Sequence, residues 1–285
     1  MMNDVDRTCT HRSSCIAGYY ARHTIIKTQL LNFINLHKAR NVKPQVLVLG
    51  CGFDTLYFQL KKERLVDSSV HYVECDFEDV VEAKGQILEQ KISDTLYKDL
   101  SSPMDGFPSS GSFRLVGADL RDTGQLHSGL IQAGVIWEKP TFILAECVLV
   151  YMDTKESLRL LKWLSSMFSE ASMLIYEQVN PHDPFGRQMM ANLDARGCPL
   201  KGIISSLDDH KKRMYESGWE FAECEYMLDM FNKSIPQAEV HRINQIEMLD
   251  EQEEWNLLLR HYCITIASKR GENNTSNLSS TCCKR

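Results

Sequence analysis

The sequence predicts an α/β fold with a doubly wound sheet, and three observations support that class. Apolar runs of strand length recur along the chain. They are continuous rather than alternating, as in strands that are buried on both faces of a parallel sheet. Stretches long enough for a helix separate most of them, which favours strands joined by crossovers. The runs occupy residues 46–49, 70–73, 113–116, 142–145, 173–176 and 263–267.

Apolar residues at helical spacing predict two well-defined helices. The first runs from Tyr19 to about Arg40 and carries an excess of basic side chains. The second follows Asp153 and Glu156, whose spacing is that of a capping box, and it reaches about Ser169. We expect this second helix to face the core as a crossover between two strands.

Composition shifts divide the chain into three parts. Residues 1–43 form an N-terminal helical and basic segment, and residues 44–269 form the α/β domain. Within that domain, frequent Pro and Gly from about 178 to 245 predict a lid inserted over one edge of the sheet. The Pro/Gly/Ser-rich stretch 99–112 predicts a surface loop. Residues 270–285 are of low complexity, and we expect them to be disordered.

The overall composition is that of a soluble globular protein, with 43% hydrophobic and 25% charged residues. No apolar run approaches the roughly 20 residues that a membrane-spanning helix needs. The net charge of −6 argues against a dedicated nucleic-acid binder. We therefore expect a monomer with neither a membrane nor a nucleic acid as partner.

Ten cysteines bear on compartment and on metal binding. The N-terminus lacks a basic segment followed by an apolar one, so we expect free thiols in the reducing cytoplasm. No Cys-x-x-Cys pair and no His/Cys cluster has the spacing of a zinc site. The sequence therefore predicts no metal.

The ends of four successive predicted strands carry the chemistry. Gly50-Cys51-Gly52 follows the first strand, and Asp76, Asp119 and Glu146 follow the next three. In doubly wound folds, ligands bind beyond these carboxyl ends. Glycines let the backbone approach a ligand, and the acids suit the hydroxyls, amines and positive charge of a nucleoside cofactor. This combination predicts a nucleoside site.

Two cofactor classes compete for that site. A dinucleotide needs the pattern G-x-G-x-x-G/A, but Thr55 stands at its third small position. Asp54 also places a negative charge where a pyrophosphate would bind. S-adenosylmethionine has no phosphate and carries a cationic sulfur, so the acidic strand ends favour it over a nicotinamide dinucleotide.

Four nearly unbroken sequence blocks carry a family resemblance. The chain resembles the leucine carboxyl methyltransferases, which methylate the C-terminal leucine carboxylate of type 2A protein phosphatases. The resemblance covers residues 18 to about 267 and implies a seven-stranded S-adenosylmethionine-dependent methyltransferase fold with an inserted substrate lid. Its blocks are residues 18–22, 117–122, 145–152 and 176–180.

The family pattern also implies residue roles in cofactor binding. Asp76 holds the ribose hydroxyls, and Asp119 with Leu120 frames the adenine. The partner that the resemblance implies is the C-terminus of a phosphatase 2A catalytic subunit. A C-terminal carboxylate is already ionised at pH 7, so we expect no catalytic base and no covalent intermediate.

Further implied roles concern the methionine half of the cofactor and the substrate. Arg22 contacts the cofactor's carboxylate end, Gly50 lies against its methionine and ribose part, and Glu146 lies near its amino group. Tyr151 has two open interpretations, because it either positions the substrate or packs at the junction between strand and helix.

Two alternative functions remain open within this family. One is a wybutosine-type tRNA carboxyl methyltransferase. The other is a cofactor- or phosphatase-binding homologue with reduced catalysis. Family members carry a longer segment, with a lysine at the mouth of the site, before the first block, whereas 17 residues precede Gly18 here. The shortened N-terminus predicts slow methyl transfer with intact cofactor binding.

Overall fold

The computed structural model of the chain describes residues 12–92, 112–246 and 252–270. The strands are β1 (Gln45–Leu49), β2 (His71–Asp76), β3 (Phe113–Gly117), β4 (Thr141–Glu146), β5 (Ala171–Gln178), β6 (Phe221–Tyr226) and β7 (Tyr262–Lys269). The helices are α1 (Arg12–Ala39), α2 (Leu56–Lys62), α3 (Glu78–Ile92), α4 (Thr123–Gln132), α5 (Thr154–Met167), α6 (Pro184–Ala195), α7 (Leu207–Glu216), α8 (Met227–Ser234), α9 (Gln237–Ile246) and α10 (Gln252–Arg260). A 3-10 helix, Leu149–Tyr151, follows β4.

All seven strands form one sheet in the order β3-β2-β1-β4-β5-β7-β6. β1 to β5 are parallel, and β7 runs antiparallel to both β5 and β6. The predicted α/β class and the seven-stranded fold that the resemblance implies are therefore confirmed. The strand order reverses between β1 and β4, which places the switch point of the sheet beyond Leu49.

Two apolar layers cover the sheet, one on each face. Val46 and Val48 of β1 pack with α1 and α2, whereas Leu47 and Leu49 pack with α4 and α5 on the other side. Because consecutive residues point to opposite faces, a strand covered on both sides needs an unbroken apolar run. The unbroken apolar runs of the central strands therefore reflect burial on both faces of the sheet.

The predicted strands are present, with ends that differ by up to three residues, and two larger differences appear. α1 begins at Arg12, seven residues before the predicted start. β6 was not predicted and lies within segment 178–245, so part of that segment belongs to the sheet. The remaining lid assignment, for α6 to α9, stays a prediction. Of the predicted loop 99–112 only residue 112 is described, and of the predicted tail 270–285 only residue 270.

The capping box before α5 is present. The backbone N–H of Asp153 donates to the Glu156 carboxylate at 3.3 Å, and Glu156 stands at the third position of the helix. The helix then buries Leu161 and Leu164 against the sheet, as its periodicity predicts. Within the described part of the chain, no helix combines the length and apolar character that crossing a bilayer requires.

Candidate cofactor and active site

The carboxyl ends of the parallel strands border two cavities that meet at Gly50. The β2–β3 cavity, about 320 Å³, lies over the ends of β2 and β3 and reaches Tyr151 and Lys201. The α1 cavity, about 560 Å³, lies between α1 and the ends of β1 and β4. Both volumes fall in or near the usual range of small-molecule pockets. The switch point of the sheet therefore holds a two-part ligand site.

All seven predicted site residues line these cavities, so the structure brings them together. Their individual roles stay predictions. Gly50, Asp76, Asp119, Leu120 and Tyr151 line the β2–β3 cavity, and Arg22, Gly50 and Glu146 line the α1 cavity.

Two glycines shape the turn after β1. Gly50 has φ +63°, and a Cβ there would lie 2.5 Å from Cγ2 of Val148. Only glycine allows this close approach to the segment that follows β4. Gly52 has φ +48°, and no atom lies within 4 Å of the position of its missing Cβ. The turn therefore leaves open space where a ligand can contact the backbone.

Asp76 holds the glycine turn and faces the same cavity. Its Oδ2 accepts the Gly52 N–H at 2.7 Å, and its Oδ1 accepts the Phe77 N–H at 2.8 Å. Each carboxylate oxygen has a second lone pair, so the side chain can still accept two ribose hydroxyls. The Phe77 ring is 50% exposed at the cavity wall and offers an apolar face to a base.

Asp119 is already engaged by a cation. Nε of Arg121 lies 2.9 Å from Oδ1, and a terminal nitrogen of Arg121 lies 2.6 Å from Oδ2. These hydrogen bonds hold the pKa of Asp119 below its ordinary value. Leu120 is buried beside them and forms an apolar wall. An amine of a ligand must therefore share Asp119 with Arg121 or displace it.

Arg22 and Glu146 form an ion pair between α1 and the end of β4. Nε of Arg22 donates to Oε2 of Glu146 at 2.5 Å, and the guanidinium lies 4.8 Å from the ring centroid of Tyr176. Burial raises the pKa of Glu146, and the charge of Arg22 opposes that shift. Arg22 keeps donors in its guanidinium fork that are not used by Glu146. The pair thus offers one acceptor and one donor group to a zwitterion.

Asp54 occupies the place where a dinucleotide phosphate would bind. Its Oδ1 accepts the N–H groups of Thr55 at 2.7 Å and of Leu56 at 3.2 Å, at the start of α2. A pyrophosphate would need these same donors and would meet the carboxylate. The position of Asp54 is thus a physical reason why a dinucleotide would not bind at this turn.

The segment after β4 presents Tyr151 to the β2–β3 cavity. Cys147, directly after Glu146, has φ +52°, which is unusual for a residue with a Cβ and typical of functional sites. The 3-10 turn that follows leaves Tyr151 39% exposed. Burial of its remaining part raises the pKa of the phenol, so it is a neutral donor at pH 7.

Lys201 is the cation of the β2–β3 cavity that lacks an ionic partner. It forms no ion pair within 4 Å with any residue that the structure describes, whereas Arg121 is paired with Asp119. The Gly202 N–H donates to the Val150 carbonyl at 2.9 Å, which fixes the loop of Lys201 beside Tyr151. A Cβ on Gly202 would lie 2.4 Å from a backbone oxygen, so this contact requires glycine.

The sheet order, the glycine turn and an acidic, phosphate-excluding cavity define a methyltransferase of the S-adenosylmethionine-dependent class. The chain belongs to the leucine carboxyl methyltransferase family. The model of that family, described as "Leucine carboxyl methyltransferase", matches residues 3–165.

Known proteins support this membership. Leucine carboxyl methyltransferase 1 of Rattus norvegicus is 37% identical over 90% of this chain and 77% of its own length. tRNA wybutosine-synthesizing protein 4 of the same species is 33% identical over 88% of this chain and 38% of its own length. A putative methyltransferase from Thermobifida fusca YX shares the fold, with a TM-score of 0.60 at 15% identity. That match covers 92% of this chain and 85% of that protein.

The cofactor of this class, S-adenosyl-L-methionine, fits the residues present. Asp76 and the exposed face of Phe77 suit its ribose and adenine, and the Arg22–Glu146 pair suits the carboxylate and amino group of its methionine. Open space over Gly52 allows the part of the cofactor that joins its ribose to its methionine to approach the protein backbone.

Three residues of the site were not singled out from the sequence. Phe77 follows Asp76 directly, so an aromatic residue after a strand-end acid is the signal that would have found it. Arg121 lies two residues after Asp119, and its fork reaches back to that carboxylate. Lys201 has no such local signal, because only the contact of its loop with the 3-10 turn brings it to the cavity.

Proposed function

We propose that this enzyme transfers the methyl group of S-adenosyl-L-methionine to the C-terminal leucine carboxylate of a type 2A protein phosphatase catalytic subunit. Family membership supports carboxyl methylation, and the names of relatives such as that of Rattus norvegicus support leucine. The observation that carries the substrate assignment is the unpaired Lys201 beside the neutral phenol of Tyr151. Both groups can hold a carboxylate without removing a proton from it.

The chemistry asks for positioning rather than for acid–base catalysis. A C-terminal carboxyl has a pKa near 3.5, so its oxygen is already a nucleophile at pH 7. When bound, the cofactor supplies an electrophilic methyl group on a cationic sulfur. The products are a methyl ester and a neutral thioether, and no proton moves.

The residues of this chain would orient the carboxylate and exclude water from it. Proximity and orientation can lower a barrier by about 7–11 kcal/mol. Tyr151 and Lys201 each donate a hydrogen bond, and Lys201 adds a positive charge that captures the substrate. Lys201 is exposed, so its pair with the carboxylate is weak enough to leave the oxygen reactive.

A cytoplasmic location is part of this proposal. Six described cysteines are free thiols, and four of them are buried. Unpaired thiols suit a reducing compartment, where a phosphatase subunit is also available as substrate. The expected monomeric state stays a prediction.

Labelled S-adenosylmethionine and a phosphatase catalytic subunit test the proposed reaction directly. We expect label in the protein that alkali releases as volatile methanol, because a methyl ester is base-labile. A subunit that lacks its terminal leucine, or that is amidated there, should take up no label above background. Equal labelling of the amidated subunit would overturn the assignment, and cofactor binding without transfer would indicate a binding homologue.

Similarity to tRNA wybutosine-synthesizing protein 4 makes tRNA the second substrate to test. The same assay with tRNA in place of the phosphatase should give no label. Nuclease-sensitive label on tRNA, with none on the phosphatase, would show that the substrate is tRNA rather than the phosphatase.

Lys201→Met tests the capture of the substrate carboxylate. We expect the KM for the phosphatase to rise about tenfold, because a hydrogen bond to a charged group is lost. The Kd for S-adenosylmethionine should not change. The matched control is Lys212→Met, since Lys212 is an exposed lysine of α7 that does not line either cavity. An unchanged KM in the Lys201 variant would exclude this role.

A further inference from the structure

Three potential metal ligands that are far apart in sequence meet on one face of the sheet. His210 comes from α7, Cys224 from β6 and Cys263 from β7. One ligand atom of each lies within 4.8 Å of the others, and Nε2 of His210 lies 3.4 Å from Sγ of Cys263. All three side chains are buried. We call them the His-Cys-Cys cluster.

The cluster lies on the opposite face of the sheet from the Arg22 side of the cofactor site. Cys263 follows Tyr262, which stacks on Tyr176, the residue under Arg22. Neighbouring residues of a strand point to opposite faces of a sheet, so the cluster and the Tyr176–Tyr262 stack lie on opposite sides. The methyl-transfer proposal does not use any member of the cluster.

The strand register argues against a disulfide between the two cysteines. Cys224 pairs with Thr265, and Cys263 pairs with Tyr226, so the cysteines are diagonal rather than opposite. Diagonal neighbours have Cα atoms about 7–8 Å apart. A disulfide seldom spans more than about 7 Å without backbone movement. Two sulfurs that are close but difficult to join suit a shared ion better than a covalent bond.

We propose that His210, Cys224 and Cys263 bind a zinc ion. Two thiolates and one imidazole form a common ligand set for Zn²⁺, and soft sulfur ligands select it over Mg²⁺ and Ca²⁺. Binding requires both thiols to lose their protons to solvent. The two thiolate charges then offset the charge of the ion, so the buried site stays neutral.

A buried ion pair between Arg213 and Glu177 lies beside the cluster. One terminal nitrogen of Arg213 lies 3.3 Å from Nδ1 of His210 and 2.9 Å from Oε2 of Glu177. Two further nitrogens of Arg213 are buried and have no hydrogen-bond partner, whereas the Glu177 carboxylate also faces the backbone N–H groups of Leu149 and Val150. These unsatisfied atoms lie beside the His-Cys-Cys cluster rather than in it, and buried polar atoms without a partner call for a physical explanation in a native structure.

Zinc binding changes the role of Glu177. A metal on Nε2 leaves the ring proton on Nδ1, which must then donate rather than accept. Metal-bound histidines almost always donate this proton to a carboxylate, a backbone carbonyl or a water. One terminal nitrogen of Arg213 contacts both Glu177 and Nδ1 of His210, so Glu177 is the nearby carboxylate, and Arg213 has to turn from Nδ1 before Glu177 can accept the ring proton. We infer that Glu177 would position His210 in this way.

With three protein ligands, the proposed zinc ion would take a water at its fourth tetrahedral position, and it would also stabilise the packing of its elements. It ties α7 to β6 and β7, at the edge of the sheet where the predicted lid joins it. Among the described strands, β6 pairs only with β7, at the edge of the sheet. A metal ion that links β6 to β7 and α7 would therefore stabilise this edge.

Metal content and cobalt spectroscopy on the full chain test the site. Any affinity tag is removed, and Cys282→Ser/Cys283→Ser is the background, because two adjacent thiols can bind metal on their own. We expect one zinc ion per chain after dialysis and a higher Tm with zinc than with chelator. Cobalt substitution should give thiolate-to-metal charge-transfer absorption and the intense visible bands of a tetrahedral site.

Variants then assign the ligands. Cys224→Ala and His210→Gln should each remove the tetrahedral cobalt bands, and Glu177→Gln should weaken zinc binding by about 10- to 100-fold. The control is Cys198→Ala, since Cys198 is an exposed thiol outside the cluster. A parent chain without bound zinc and without cobalt charge transfer would overturn the proposal, whatever the stability of the variants. The same holds if the bands persist in both ligand variants.

Discussion

Asp76→Ala is expected to weaken S-adenosylmethionine binding by at least about tenfold. The substitution removes the acceptor that we assign to the ribose hydroxyls, and a hydrogen bond to a charged group contributes about 1.5–3 kcal/mol. It also releases the Gly52 N–H, which Asp76 holds at 2.7 Å, so the glycine turn loses its anchor. Isothermal titration calorimetry on the folded variant measures the effect.

Two further variants separate charge from general damage to the loop. Asp76→Asn keeps one acceptor oxygen and should bind the cofactor with intermediate affinity. Asp79→Ala is the control, because Asp79 is an exposed acid in the first turn of α3. An affinity for the cofactor that is the same in Asp76→Ala and in the parent protein would exclude the ribose assignment.

The central strands were predictable because burial on both faces leaves a simple signal. β1 and β4 are covered by helices on both sides and read as unbroken apolar runs. The switch point follows from the same argument, since parallel strands separated by helices place their carboxyl ends together. The meeting of Gly50, Asp76 and Glu146 at one site is therefore predictable from the sequence alone.

β6 was missed because an edge strand carries a different signal. Its residues alternate, with Ala222 and Cys224 buried and Phe221 and Glu223 exposed. Alternation over six residues inside a segment rich in Pro and Gly is easily interpreted as loop or lid. The strand forms because β7 offers it a hydrogen-bonding edge, and that partner is a tertiary feature.

The same limit applies to residues that only tertiary packing brings together. Lys201 reaches the cavity because Gly202 docks on the 3-10 turn, and no local pattern announces that contact. The His-Cys-Cys cluster combines three elements whose ligands have no zinc-like spacing in the sequence. A search for sequence motifs finds sites within one loop, whereas these sites depend on which elements are neighbours.

At pH 8, where Glu74 is charged, Lys84→Met is expected to reduce the free energy of unfolding by about 3–5 kcal/mol, because it breaks a buried ion pair. Nζ of Lys84 donates to Oε2 of Glu74 at 2.5 Å, and both side chains are almost fully buried. Glu74 stands two residues before Asp76 on β2, so the pair supports the strand that ends at the proposed ribose-binding acid. The matched control is Lys38→Met, which breaks the exposed pair with Asp67 and should cost at most about 1 kcal/mol.

The loss of stability in Lys84→Met should grow as the pH rises, because Glu74 becomes charged. Burial raises the pKa of Glu74 to about 7, and Lys84 opposes that shift. Because the folded-state pKa lies above the unfolded value, stability from this group is full below about pH 4.5 and falls as the pH rises to about 7. Without Lys84 the folded-state pKa moves higher still, so urea unfolding should show a larger deficit at pH 8 than at pH 6. The double variant Glu74→Gln/Lys84→Met should recover much of the deficit and remove its pH dependence. A deficit that is the same at both pH values would show that packing, rather than the buried charge, is what Lys84 contributes.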